Sequence, residues 1–175
     1  GDLVAAASRL EQLPVDPTTE EADQWTAIAA RRLHLAGTRR IEAGDPITQD
    51  VVLAVVTGGE RLLQSDERPL AEVLENPRML PVAVQVANGR AALYRSAGNP
   101  DEGLAALSIY QELLAIRPRD GSILEAAADL SRELGEYDVS LEFWRRIAAG
   151  SPQGSQRWWK ARTNLLEILV ETDPF

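Results

Sequence analysis

Apolar residues recur along most of this chain at three- and four-residue intervals, the spacing that lines one side of an α-helix rather than one face of a strand. Leu3, Ala6, Leu10 and Leu13 open the series and stop before Pro14, which predicts a short amphipathic helix over residues 2–13. Thr18 and Glu21 then fit a capping box, in which side chain and backbone satisfy each other at a helix start. Trp25, Ile28, Ala29, Leu33 and Leu35 follow as the stripe of a longer helix, which Gly37 weakens or ends. Asp45 as N-cap and Pro46 at the first helical position open a third helix that runs to Leu63, with Gly58-Gly59 predicting a kink or break in it.

Pro69, Pro77 and Pro81 confine the next helix to a short piece over residues 69–74. Beyond Pro81 the pattern becomes regular: helices over residues 81–97 and 101–116, separated by Gly98-Asn99-Pro100 and closed by Arg117-Pro118. Ser122 and Glu125 predict another capping box, heading a stripe of Leu124, Ala127, Leu130 and Leu134 that Gly135 terminates. Tyr137, Leu141, Trp144, Ile147 and Ala148 form the next stripe; after Gly150, Pro152 and Gly154, a last one runs through Trp158, Ala161, Leu165, Ile168 and Leu169. No segment reads as a strand, so the expected class is all-α.

Pro118 and Pro152 each close a helix pair and stand 34 residues apart, the period of tetratricopeptide units. Over residues 81–175 the chain resembles the tetratricopeptide repeat family. The run from Gly135 to Pro152 is similar to the second half of such a unit, with Ser140 at the small-residue position, Trp144 at the aromatic one and Pro152 at the terminal proline. The unit before it offers Tyr94, Ala106, Tyr110 and Pro118, with about three extra residues around 99–102. Trp158 falls at the first-helix tryptophan of a third, incomplete unit. Ala127-Ala128 in place of Leu-Gly, Ser131 where an aromatic is common, and Arg90 at a normally apolar position depart from the pattern. Residues 1–80 are expected to form divergent repeats or a helical cap.

The resemblance implies a right-handed α-α superhelix, a solenoid of antiparallel helix hairpins in which each pair hides its apolar stripe against the next. It also implies a concave groove lined by the first helix of each unit, with Gln85, Asn88 and Arg95, then Glu125, Asp129 and Glu133, then Trp159 and Thr163 in the groove positions. The function implied is a non-catalytic protein-protein interaction scaffold that holds a peptide or protein segment, and the acidic centre of the groove suits a segment with basic residues. Two alternatives stand beside it: a regulatory or positioning module of a larger enzyme, and an architectural self-association module forming homo-oligomers. Some family members clamp a chaperone's terminal carboxylate with lysine and asparagine one turn apart; Glu125 with Asp129 and Trp159 with Thr163 occupy those places here, which argues against that activity.

Composition narrows the partners. The net charge of −9 repels phosphate backbones and anionic lipid heads, so neither nucleic acid nor a membrane surface is expected. Arg31, Arg32, Arg39 and Arg40 are the one basic concentration, and Glu20, Glu21, Asp23 and Glu42 bracket them. There is no cysteine and only one histidine, His34, which leaves no thiolate zinc set, no triad and no general base with an orienting partner. Glu125, Asp129 and Glu133 stand at i, i+4 and i+8 on one helix side without the further oxygen ligands that calcium takes. No cofactor and no metal are therefore expected. Trp158 and Trp159 point about 100° apart on a helix and cannot both serve one surface, so Trp158 is expected in the core and Trp159 either at a ligand or exposed for want of a following helix. The lone lysine, Lys160, among many arginines suggests a bacterial, GC-rich source. The chain begins Gly1-Asp2 without methionine, and Asp173-Pro174 reads as the start of another helix, so a longer parent protein is expected.

Overall fold

The computed structural model describes residues 3–12, 20–44, 46, 48–64 and 68–172, without the side chains of 20–25. Leu13, the Thr18 and Glu21 side chains of the first capping box, the Trp25 side chain, Asp45 and Asp173-Pro174 lie outside the described residues. Among the described residues all regular structure is helical: α1 (Leu3–Glu11), α2 (Glu20–Glu42), α3 (Gln49–Leu63), α4 (Leu70–Val73), α5 (Met79–Ala97), α6 (Pro100–Ile116), α7 (Gly121–Glu133), α8 (Tyr137–Gly150) and α9 (Gln156–Thr172). The fold class is all-α. The chain divides into two compact units, Gly1–Ala106 and Leu107–Phe175, with the division inside α6.

In the first unit α3 packs against α1, α2 and α5. It can do so on several sides because its own sequence, from Val51 through Ala54, Val55 and Val56 to Leu63, is apolar almost all round. Glycines then set how close its neighbours come. A Cβ on Gly58 would stand 2.6 Å from the His34 backbone nitrogen and 2.7 Å from the Ala30 carbonyl oxygen, and a Cβ on Gly59 would collide with Val86 of α5. Gly37 of α2 meets Val55, and Gly89 of α5 meets Val56, in the same manner. Gly58-Gly59 therefore makes no break; α3 runs straight through it, and the pair serves close helix approach.

The same close approach changes the buried side of α2. Ala30, Leu33, His34, Gly37 and Thr38 are buried, whereas Ile28 and Leu35 of the expected stripe are 42% and 39% exposed. His34 belongs to this packing, its Nδ1 donating to the Val55 carbonyl at 2.9 Å. The third helix also begins later than the Asp45-Pro46 signal predicts, at Gln49 with Thr48 as N-cap, the Thr48 hydroxyl donating to Asp50. In α1, Ala7 rather than Ala6 joins Leu10 in the core beneath Ala30, Leu33 and Ala54.

In the second unit Asp120, not Ser122, caps α7: its carboxylate accepts from the Ser122 and Ile123 amides at 3.1 and 3.3 Å. That frees Glu125 for other partners. Gly135, at φ 80°, takes the left-handed conformation that ends the helix, and the Glu136 amide returns to the Ser131 carbonyl at 2.8 Å. The chain then reverses into α8, which packs on both α7 and α9. Trp144 has no exposed surface, and Leu141, Phe143 and Ile147 are buried with it. Ser140 and Ser131 are buried too, and each hydroxyl finds a carbonyl, Ser140 that of Ala128 across the hairpin at 2.8 Å and Ser131 that of Ala127 at 2.7 Å. The small residues Ala127, Ala128, Ser131 and Ser140 share this seam, so the two helices approach closely.

Gly58→Ala is expected to cost about 1–3 kcal/mol, since its new methyl meets backbone rather than a side chain that can swing away. Gly150→Ala, where nothing lies within 4 Å of the added Cβ, is expected to be neutral or slightly stabilising. Urea denaturation of the two variants separates a close-packed glycine from an open one; equal effects would show that α2 and α3 do not meet at Gly58.

Candidate protein-binding surface

The residues that the family resemblance places in a groove fall in both units. In the first, Gln85, Asn88 and Arg95 lie on α5. Gln85 accepts a hydrogen bond from the Thr38 hydroxyl of α2 at 3.2 Å, which ties it to its own unit. Asn88 and Arg95 are exposed, and both have partners within the chain. In the second unit Glu125, Asp129 and Glu133 lie on α7 and Trp159 and Thr163 on α9.

α7 and α9 are joined side to side by ion pairs. Glu125 accepts from Arg157 Nε at 2.6 Å and from Lys160 Nζ at 2.8 Å, all three groups at one end of the helix pair. At the other end Arg132 of α7 donates to Glu167 at 2.9 Å and to Glu171, and reaches Asn164 at 3.4 Å. Reversed polarity at the two ends makes this a ladder that fixes the lengthwise register of α9 on α7. Partial burial disfavours the charged form of Glu125, but the hydrogen bonds from Lys160 and Arg157 outweigh it and hold its carboxyl below the ordinary value. The hydrogen bond from Arg132 lowers Glu171 likewise, and the Glu171 and Glu167 carboxylates raise the Arg132 guanidinium well above its usual range. Asp129 and Glu133, the remaining members of the acidic row, also have partners within the chain.

Trp158 and Trp159 separate by environment. Trp158 is half-buried, with the Arg162 guanidinium 5.6 Å from its ring centroid, while Trp159 is 59% exposed and meets Trp158 edge-on at 4.7 Å. The inward side of α9 is carried by Ala161 and Ile168, both without exposed surface. The outward side repeats every three to four residues as Trp159, Thr163, Leu166 and Val170; Leu166 and Val170 are 62% and 64% exposed. Leu169, expected in the core stripe, is exposed as well, because the buried side of α9 is centred on Ala161 and Ile168 and Leu169 lies round the helix from it.

No family model and no curated protein matches the chain. Among the described residues no three His, Asp or Glu side chains gather as metal ligands do, and no helix is long and apolar enough to cross a membrane. The α2 arginines are surface groups: Arg31, Arg32 and Arg39 are exposed, and Arg40 pairs with Asp50 at 3.4 Å. One polar cluster had no signature in the sequence beyond Arg90 at an apolar position. There the half-buried Arg90 donates to Glu60 of α3 and, at 2.6 Å, to Glu102 of α6. Desolvation raises the Glu60 carboxyl above its ordinary value even though Arg90 opposes the shift.

Because Glu125 titrates lower in the folded chain than the ordinary 4.5, its ion pairs contribute stability that is present above that value and lost as pH falls through the folded one. Thermal unfolding of the wild type and Glu125→Gln should therefore differ at pH 7 and converge as the solution is acidified below the glutamate range. A gap independent of pH would mean that the Arg157 and Lys160 contacts carry no charge-dependent stability.

Proposed function

We propose that this chain is a non-catalytic protein-protein interaction scaffold built as a tetratricopeptide-like right-handed solenoid, and that its second unit binds a polypeptide segment along α9, with Trp159 and Thr163 as contact residues. The observation that carries the reading is Trp159: a tryptophan 59% exposed on a helix whose opposite side is firmly buried. Of the aromatic side chains, tryptophan offers the largest apolar area with a polar handle, and such residues dominate the energetics of binding surfaces. The Glu125 and Arg132 ion pairs support it by tying α9 to α7 at both ends, which favours one placement of its outward residues. Segments with basic residues remain the preferred ligands, as the acidic row of Glu125, Asp129 and Glu133 implies, although each of the three also has a partner within the chain.

Selection of binding peptides from a random library against the full chain, repeated with Trp159→Ala, tests this. Selected peptides should lose about tenfold or more in affinity for the variant, the scale of a truncated hot spot, while its melting temperature stays close to that of the wild type. Peptides that bind both forms equally would remove α9 from the site.

Self-association is a second reading, favoured by the arrangement of the outward stripe. In an antiparallel pair of α9 helices Trp159 lies opposite the partner subunit's Val170 and Thr163 opposite the partner subunit's Leu166. The same arrangement sets the half carrying Arg157, Lys160 and Arg162 against the half carrying Glu167 and Glu171. Sedimentation velocity decides between the readings: a concentration-dependent dimer abolished by Leu166→Glu supports self-pairing, and a monomer at all concentrations leaves α9 to a foreign segment.

A further inference from the structure

A cleft of about 630 Å³ opens in the second unit where the Pro118-Arg119 turn, the start of α7 and the end of α8 meet, with Arg157 of α9 closing one side. Leu124 and Ile147 form its apolar floor, and Arg119, Arg146 and Arg157 line it. We propose that this cleft is an oxyanion-binding site, taking a phosphate or carboxylate group through the three guanidinium groups.

Arg157 and Arg146 are held by contacts within the unit, and all three arginines keep donors to spare. Arg157 spends Nε on Glu125 at 2.6 Å, and its Nη1 and Nη2 lie over Gly121, where any side chain would overlap them. Arg146 spends Nη2 on the Pro118 carbonyl at 2.9 Å and stacks over Phe143 at 5.7 Å. Arg119 makes no ion pair among the described residues. A guanidinium offers five N–H donors in a planar fork matched to oxyanions, so three of them with one or no bond each present an unfilled donor set. The nearby acids do not fill it. Asp120 is turned to the α7 amides and to the Ser122 hydroxyl at 2.6 Å, and Glu125 is shared with Lys160. Three cations thus gather over an apolar floor in a chain whose net charge is −9, and their mutual repulsion is relieved when an anion enters. The glycine at position 121 has a matching reason: its bare backbone admits the Arg157 guanidinium beside the first turn of α7, where the Asp120 carboxylate already takes the Ser122 and Ile123 amides and leaves the anion to the arginines. This site uses Arg157 of α9 but none of the outward residues Trp159, Thr163, Leu166 and Val170, and stands if the α9 reading fails.

The anion has two sources, free inorganic phosphate or the acidic side chains of a bound polypeptide. Amide and arginine Nε resonances of the full chain, followed by NMR at constant ionic strength, distinguish them in parallel titrations with sodium phosphate, a triglutamate peptide and, as control, sodium chloride. Saturating shifts at the Gly121 amide and the Arg119, Arg146 and Arg157 side chains are expected with phosphate, triglutamate or both. Arg119→Gln, which breaks no ion pair among the described residues, should weaken binding by about tenfold, the worth of one charge-assisted hydrogen bond. Gly121→Ala, whose added methyl meets only the guanidinium end of the Arg157 side chain, should weaken it similarly without unfolding α7. Shifts that do not saturate, that chloride reproduces, or that both variants retain at wild-type affinity would overturn the proposal.

Discussion

An amphipathic helix in water is stable only if its apolar side finds cover, and α8 shows how strictly the second unit obeys this. Its stripe of Leu141, Trp144 and Ile147 is buried, with α7 and α9 both packed on it. Trp144 is sealed so completely that its indole N–H is a buried donor without a partner among the described residues. The burial of so large a side chain outweighs that unmet hydrogen bond, since an aromatic of this size contributes about 3–5 kcal/mol relative to alanine. The position of α9 follows. Once Ala161 and Ile168 are committed inward, Trp159, Leu166 and Val170 have only the outward side left to occupy.

Electrostatics reinforces what packing sets. α7 and α9 each pack on α8, and ion pairs of opposite polarity at the two ends of α7 and α9 match in that one register. Exposed ion pairs contribute little stability singly, about 0–1 kcal/mol each, so specifying register is a larger part of their role than adding stability. The first unit reaches specificity differently. Glycines at 37 and 58 let α2 and α3 meet nearly backbone to backbone, those at 59 and 89 seat valine side chains between α3 and α5, and the His34 to Val55 bond pins the α2–α3 contact.

What was legible in the sequence follows from this difference. In the second half, large apolar residues alternate with Pro118, Gly135 and Pro152 as stops, and the helices lie where that punctuation puts them. In the first half, Ala30, His34, Gly37 and Thr38 do the packing, and such residues give no hydropathy signal; the eye goes instead to Ile28 and Leu35, which face out. Gly58-Gly59 read as a break for the same reason, because a glycine that admits a neighbour and one that ends a helix look alike in one dimension. For the candidate site, helical geometry separates Trp158 from Trp159 but places Trp158 in the core, whereas it is half-buried and Ala161 and Ile168 carry the inward side of α9. The engagement of Glu125 with Arg157 and Lys160 could not be derived: its cations lie more than thirty residues away, and the row with Asp129 and Glu133 was the only visible relation.

Between them α7, α8 and α9 enclose one tryptophan, Trp144, and present another, Trp159. Fluorine NMR of the 5-fluorotryptophan-labelled chain, with resonances assigned by single Trp→Phe replacements, measures both at once through the solvent isotope shift between H₂O and D₂O. Trp144 should show almost no shift and Trp159 a large one, with Trp158 between them. A solvent-exposed Trp144, or a Trp159 as shielded as Trp144, would contradict the arrangement from which the binding surface is derived.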